Sequence, residues 1–141
     1  MGATVCDAVT ADPDLELVAA VDPACVGTVI HGISIAADPR AMADAGVQVA
    51  IDFTIAAASR TNLQWCALHG VHAVVGTTGF TDADIAGFRS VFSSSNCMIA
   101  ANFAISAVLM MKFAEMASPW FETAEIIELH HDNKADAPSG T

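Results

Sequence analysis

Between Val47 and Ala101 short apolar runs alternate with longer helical patterns, and almost every switch falls on a residue that breaks the local conformation. Val47–Phe53 reads as a strand, and Ala56–His69 as a helix with Gly70 just past its end. His72–Gly76 is a second strand. Thr81-Asp82-Ala83-Asp84 is a capping box that opens a helix over Asp82–Ser93, and Cys97–Ala101 is a third, buried strand. Strands separated by helix-length crossovers cannot form hairpins, so this order predicts a parallel sheet covered by helices.

The flanks extend the same pattern. Met1–Ala11 reads as a helix and Leu15–Val21 as a strand ending at Asp22. A short loop region follows, in which Ile33–Ala36 is extended. Asp38-Pro39 supplies a cap and first turn for a helix through Ala45, with Gly46 before the next strand. Downstream, Ala104–Ala117 is helical and apolar on nearly every side, interrupted by Lys112 and Glu115, which predicts burial against something large. Glu125–His130 then begins a second sheet. The expected fold is α/β, a Rossmann-like doubly wound parallel sheet without its first strand, followed by the start of an α+β domain.

Composition narrows the function. Five Lys and Arg against sixteen Asp and Glu give a net charge of −11, which argues against nucleic acid or an anionic membrane surface as a partner. No segment approaches the roughly 20 apolar residues needed to cross a bilayer. Met1-Gly2-Ala3-Thr4 lacks the basic and apolar regions of an export signal, so a cytoplasmic location is expected. Cys6, Cys25, Cys66 and Cys97 form no Cys-x-x-Cys pair and read as buried thiols rather than disulfides or a metal cluster.

Candidate site residues cluster at strand ends, where open α/β sheets bind ligands. Asp22 stands where such folds place an acid on the adenosine ribose, though a turn aspartate has the same pattern. Pro23 follows it, not Arg or Lys. No local cation would therefore hold a 2′-phosphate, which favours NADH over NADPH. Gly76-Thr77-Thr78-Gly79 follows a buried strand and suits a cofactor turn, or simply a tight turn.

The densest chemistry lies near the C-terminus, in Glu125-Ile-Ile-Glu128-Leu-His130-His131-Asp132-Asn133-Lys134-Ala-Asp136-Ala-Pro138-Ser139-Gly140-Thr141. In an extended segment Glu128 and His130 share one face, with Ile127, Leu129 and His131 on the other. Lys134 adds a fixed positive charge. Pro138-Ser139-Gly140-Thr141 looks like a helix opening, whose backbone N–H groups and hydroxyls bind an anion such as a carboxylate. A proton donor, a cation and an anion cradle suit one small acidic substrate. His130, His131, Asp132 and Asp136 are also possible metal ligands, but adjacent histidines at a strand end do not readily converge on one ion, and no metal is expected. His31, His69 and His72 read as structural.

The run from Glu125 to Thr141 resembles the signature of the 4-hydroxy-tetrahydrodipicolinate reductase (dihydrodipicolinate reductase) family of the diaminopimelate route to lysine. Asp52-Phe53-Thr54, Gly76-Thr77-Thr78-Gly79-Phe80 and Ala100-Ala101-Asn102-Phe103 resemble its other landmarks, in the same order and at similar spacing. The resemblance implies a dinucleotide-binding domain over residues 1–104 and the beginning of a substrate-binding and oligomerisation domain over 105–141. It implies NADH or NADPH as cofactor, with Gly2 as the last glycine of the phosphate-binding turn, together with Asp22, Gly76, Thr77, Thr78, Ala100, Ala101, Asn102 and Phe103.

His130 and Lys134 would be catalytic, and Thr78, His131, Lys134, Ser139, Gly140 and Thr141 would hold a small dicarboxylate. Ser106 departs from the family's usual Gly. Gly2 in that role leaves the first strand and first glycines unaccounted for, so a partial chain is expected; the family's homotetramer is not carried over to it. Three alternatives remain open at this stage. One is another Rossmann oxidoreductase of aspartate-family amino-acid metabolism, the second a non-catalytic fragment, and the third a metal-dependent hydrolase that uses the His130-His131 pair.

Overall fold

The computed structural model describes residues 1–129. It divides into two compact units, Met1–Ile99 and Ala100–Thr141.

The first unit is built on a parallel sheet of three strands, β3 (Val49–Asp52), β4 (His72–Val75) and β5 (Cys97–Ile99), in that order. Val49 lies opposite His72 and Asp52 opposite Val75, and Ala73–Val75 pairs with Cys97–Ile99. The crossovers are α3 (Ala56–His69) and α4 (Asp82–Val91). Helix α3 occupies the predicted span. Gly70 ends it in the left-handed region at φ +68, donating its N–H to the Cys66 carbonyl, and the Val71 N–H reaches the same oxygen at 2.9 Å. A side chain with a Cβ resists that conformation, which is why glycine stands there.

Paired on both sides, β4 forms the centre of the core. Ala73 and Val75 are buried with Leu63 of α3 and Phe88 of α4, and Phe80, Ile85, Phe92, Cys97 and Ile99 pack around them. Burying Leu63 and Val75 contributes about 1.5–3 kcal/mol each. Phe80 meets Phe88 edge to face with ring centroids 5.3 Å apart, a geometry favoured by the ring quadrupoles.

Helix α4 begins with the expected capping box. The Asp84 N–H donates to Thr81 Oγ1, and the Thr81 N–H donates back to Asp84 Oδ2. Arg60 of α3 adds a two-pronged ion pair to the Asp84 carboxylate, at 2.7 and 2.8 Å. One aspartate thus closes the start of α4 and ties it to α3.

Upstream, α1 spans Gly2–Ala11 and α2 spans Ala41–Asp44. The strand expected over Leu15–Val21 is reduced to one parallel bridge, Val21 to Ala36, held by Ala36 N–H to Ala20 O and Asp22 N–H to Ala36 O. A strand persists only where a ladder holds it, and the described residues offer this segment no more pairing than that bridge. Between Val21 and the sheet lies a hairpin missed in the sequence, β1 (Val29–Ile30) with β2 (Ile33–Ser34). Its two-residue turn puts His31 at φ 48 and Gly32 at φ 82, the paired positive values that fit the strand twist. His31 is secured by a 2.7 Å contact from Nε2 to Asp7.

His69 and His72 are structural, as expected. His69 stacks on Trp65, and His72 Nδ1 accepts the Asn96 N–H. The cysteines are all free, but only Cys66 is buried; Cys25 is exposed and Cys6 and Cys97 lie between. In a sheet of order 3-2-1-4-5-6 the bridged Val21 segment and β3 flank the first strand. Here they line a common cavity of about 330 Å³.

The second unit contains α5 (Ile105–Ala117) followed by a single 3-10 turn, Ser118–Trp120. Burial of this apolar helix was expected, yet none of its residues is buried, and Ile105 is 77% exposed. Glu125–Leu129 forms no strand, since none of the described residues pairs with it, and Ile126 is 95% exposed. No described helix is long and apolar enough to cross a membrane.

Thr81→Ala removes the helix cap and should cost about 1 kcal/mol of stability, read as a lower midpoint in thermal unfolding. Arg60 beside Asp84, with the Thr81 N–H and hydroxyl, holds the Asp84 carboxyl well below the usual carboxylate range. Stability from a depressed carboxylate is present above the unfolded value, near 4, and is lost as pH falls towards the folded one. Asp84→Asn should therefore lower the midpoint at pH 7, and the gap to the parent chain should shrink below about pH 4. A gap that stays constant with pH would remove the ion pair as its source.

Candidate functional site

The C-terminal ends of β3 and β4 are joined through one buried side chain. Asp52, the last residue of β3, is 7% exposed. Its Oδ1 accepts the Thr54 N–H at 2.9 Å, the Thr54 hydroxyl at 2.7 Å and the Thr77 hydroxyl at 3.0 Å. Its Oδ2 accepts Asn62 Nδ2 at 2.9 Å. The Thr77 hydroxyl also lies 3.2 Å from the Thr54 carbonyl, and the Gly76 N–H reaches the Asp52 carbonyl at 2.8 Å. Two strand-end turns and helix α3 therefore meet on one carboxylate.

Burial alone would raise the Asp52 pKa. The donors from Asn62, Thr54 and Thr77 outweigh that effect and bring it below the ordinary value. A charge kept out of water needs such donors, since none of the ion pairs among the described residues involves it. Its neighbours respond in the opposite sense. Burial, then the Asp52 charge and Cys97, push the Cys66 thiol up to about 11. Burial and Asp52 likewise raise Cys97. Burial and the nearby carboxylate thus both disfavour the thiolate, the reactive form, at these positions.

The predicted residues Gly76, Thr77 and Thr78 form the turn after β4. Thr77 is buried, Gly76 half-buried and Thr78 exposed. Phe53 fills the space where a Gly76 side chain would begin, because a Cβ there would lie 2.1 Å from Phe53 Cε1. Glycine at this position is a packing requirement. Gly79 closes the turn at φ 86.

Gly2 and Asp22 line the 330 Å³ cavity together with Asp52, Phe53 and Thr54, whereas Gly76, Thr77 and Thr78 are not part of its wall. Val18, Val49, Ile51, Leu63 and Cys66 make most of that wall apolar. Gly2 is the first residue of α1, where backbone N–H groups lack helical partners, and a Cβ there would meet nothing within 4 Å. These features fit close approach of a phosphate. Asp22 is exposed, and its Oδ1 accepts the Ala24 N–H at 2.8 Å, so one of its oxygens serves the local turn.

Ala100, Ala101, Asn102 and Phe103 open the second unit, where Ala100 and Asn102 are partly buried and Ala101 and Phe103 exposed. His130, His131, Lys134, Ser139, Gly140 and Thr141 lie outside the described residues. Asn62 was missed in the sequence. Ser59, Asn62, Leu63 and Cys66 follow the i, i+3, i+4, i+7 spacing of the buried face of α3. An amide on that stripe needs a buried partner, and this was the available signal. Among the described residues no three His, Cys, Asp or Glu side chains gather as metal ligands would.

Residues 1–103 match the family described as dihydrodipicolinate reductase, N-terminus, and residues 106–141 the one described as its C-terminus. A 4-hydroxy-tetrahydrodipicolinate reductase of Streptomyces avermitilis is 45% identical over 144 residues, covering 100% of this chain and 53% of the relative. One from Thermobifida fusca is 59% identical over 96 residues, which is 66% of this chain and 39% of the relative. The chain thus spans about half the length of relatives it matches throughout. Among solved structures, a dipicolinate-bound dihydrodipicolinate reductase from Paenisporosarcina sp. TG-14 superimposes with a TM-score of 0.75 at 32% identity, over 99% of this chain and 56% of that one. With an α/β unit of parallel strands and helical crossovers, matched from end to end in sequence and in fold, this chain belongs to the dihydrodipicolinate reductase family.

Proposed function

We propose that the protein represented by this chain reduces 4-hydroxy-tetrahydrodipicolinate to tetrahydrodipicolinate with NADH or NADPH, in the diaminopimelate pathway to lysine. The observation that carries this reading is the strand-end turn Gly76-Thr77-Thr78, locked to Asp52, in a chain that also holds the sequence His130-His131-x-x-Lys134. Residues 1–104 act as the dinucleotide-binding domain and 105–141 begin the substrate domain. The parent protein works in the cytoplasm on a small dicarboxylate, without nucleic acid or membrane, and full-length relatives of this kind are expected to form homotetramers.

When bound, the cofactor supplies the hydride. Gly2 at the start of α1 accommodates its phosphates and Asp22 its ribose. Gly76, Thr77 and Thr78, with Ala100, Ala101, Asn102 and Phe103, frame the nicotinamide half. Pro23 and Ala24 place no cation beside Asp22, which favours NADH, since a 2′-phosphate would meet a carboxylate there. His130 gives the proton that must accompany hydride addition, and Lys134 stabilises the charge that develops. His131, Lys134, Thr78, Ser139, Gly140 and Thr141 orient the substrate carboxylates.

Fluorescence titration with NADH, with and without pyridine-2,6-dicarboxylate, tests this reading on the chain itself. Saturable binding that the dicarboxylate tightens about tenfold is expected, within the usual range of coupling between adjacent sites. No saturable binding would reject cofactor use by this chain. Gly76→Ala should weaken NADH binding by displacing Phe53, and unchanged affinity would take that turn out of the site. In the full-length protein, His130→Gln should leave the NADH titration intact while lowering turnover by about two to four orders of magnitude. Retained turnover would remove His130 as the donor.

A further inference from the structure

We propose that Asp52 is the positioning residue of the strand-end site, acting through Thr77 and Thr54 to fix the turn that carries Gly76 and Thr78. The proposal rests on the reading of that turn as a cofactor contact. Two links make it more than core packing.

First, the carboxylate does not merely satisfy groups within its own turn. Thr77 Oγ1 sits 3.0 Å from Asp52 Oδ1 across 25 residues, and Asn62 Nδ2 sits 2.9 Å from Oδ2 across ten. Second, the Thr77 hydroxyl has one proton and two acceptors in reach, Asp52 Oδ1 and the Thr54 carbonyl at 3.2 Å. Either arrangement draws the Thr77 side chain inward, and Thr77 is 4% exposed. The next residue, Thr78, faces solvent. Thr77 is the anchor and Thr78 the presenting residue, and Asp52 holds the anchor through the shorter of its two contacts.

The chemistry of the carboxylate suits this task. An aliphatic side chain at the end of β3 would fill the space but leave the Thr54 N–H and the Asn62 amide without their acceptor, and leave the Thr77 and Thr54 hydroxyls only the longer contacts to the Thr54 and Ile55 carbonyls, at 3.2 and 3.4 Å. A carboxylate takes all four donors. An asparagine keeps Oδ1 for Thr54 and Thr77, and Asn62 can turn its own oxygen toward the new amide. Asn should therefore restore what Ala removes.

The test uses four versions of the chain beside the parent, namely Asp52→Ala, Asp52→Asn, Thr77→Val and the double change Asp52→Ala with Thr77→Val. Amide-proton exchange is read without cofactor. Asp52→Ala should expose the Thr54 amide, which depends on Oδ1, while the Gly76 amide on the backbone ladder stays protected; Asp52→Asn should keep both. NADH titration should then show about tenfold weaker binding for Asp52→Ala, as expected for losing a hydrogen bond to a charged group. Asp52→Asn should stay within about threefold of the parent, and the double change should be little worse than either single one, because the two residues act as one device.

Additive effects, or parental affinity in both Asp52→Ala and Thr77→Val, would overturn the proposal. If Asp52→Ala also loses Gly76 protection, Thr77→Val alone decides, since it deletes only the hydroxyl links. If the parent chain fails to bind NADH, the cofactor reading fails for this chain while exchange still judges Asp52. Thr54 protection that survives Asp52→Ala would then overturn it.

Discussion

A carboxylate taken out of water must find other donors, and the arrangement around Asp52 follows from that need. Burial would favour its neutral form. Four hydrogen bonds from Thr54, Asn62 and Thr77 favour the ionised one and prevail. Because the donors come from the turn after β3, the turn after β4 and helix α3, satisfying one charge fixes three pieces of chain at once. Burial first, and the same charge second, raise the Cys66 and Cys97 thiols.

The sheet supplies the rigid base on which this works. β4 has a strand on each side, and its inward residues Ala73 and Val75 meet Leu63 and Phe88 from the two crossover helices. Arg60 and Asp84 couple those helices to each other at the surface. The turns at the strand ends can then be shaped by a few polar contacts, because the elements they join have little freedom of their own. Phe53 over Gly76 shows how tight the result is.

Local chemistry was legible in the sequence, and long-range chemistry was not. Helix α3 was readable because Gly70 marks its end, and the start of α4 because Thr81 and Asp84 form a reciprocal cap. Leu15–Val21 carries as good a strand pattern as Val47–Phe53, but a strand is completed by its neighbours, and among the described residues its pairing is limited to a bridge to Ala36. The hairpin at His31-Gly32 escaped notice because its strands are only two residues long, too short to show an alternating pattern. Helix α5 is apolar as read, but its pattern says nothing of what covers it. Gly76–Thr78 and Asp22 were singled out from their strand-end positions. The bonds from Asp52 to Asn62 and Thr77 span ten and 25 residues, a separation at which no local pattern links the partners.

Strand β3 is paired on one side only among the described residues, and Val49 and Ile51 along it are 50% and 43% exposed. Along that strand Val49, Ala50, Ile51 and Asp52 line the 330 Å³ cavity that the bridged Val21 segment also lines. With a net charge of −11, two such chains repel at neutral pH and low salt. Colloidal behaviour should therefore be governed by the solvent as much as by the fold. Salt that screens the repulsion, or acidification towards the isoelectric point near 4.4, removes the barrier that keeps one copy from approaching another.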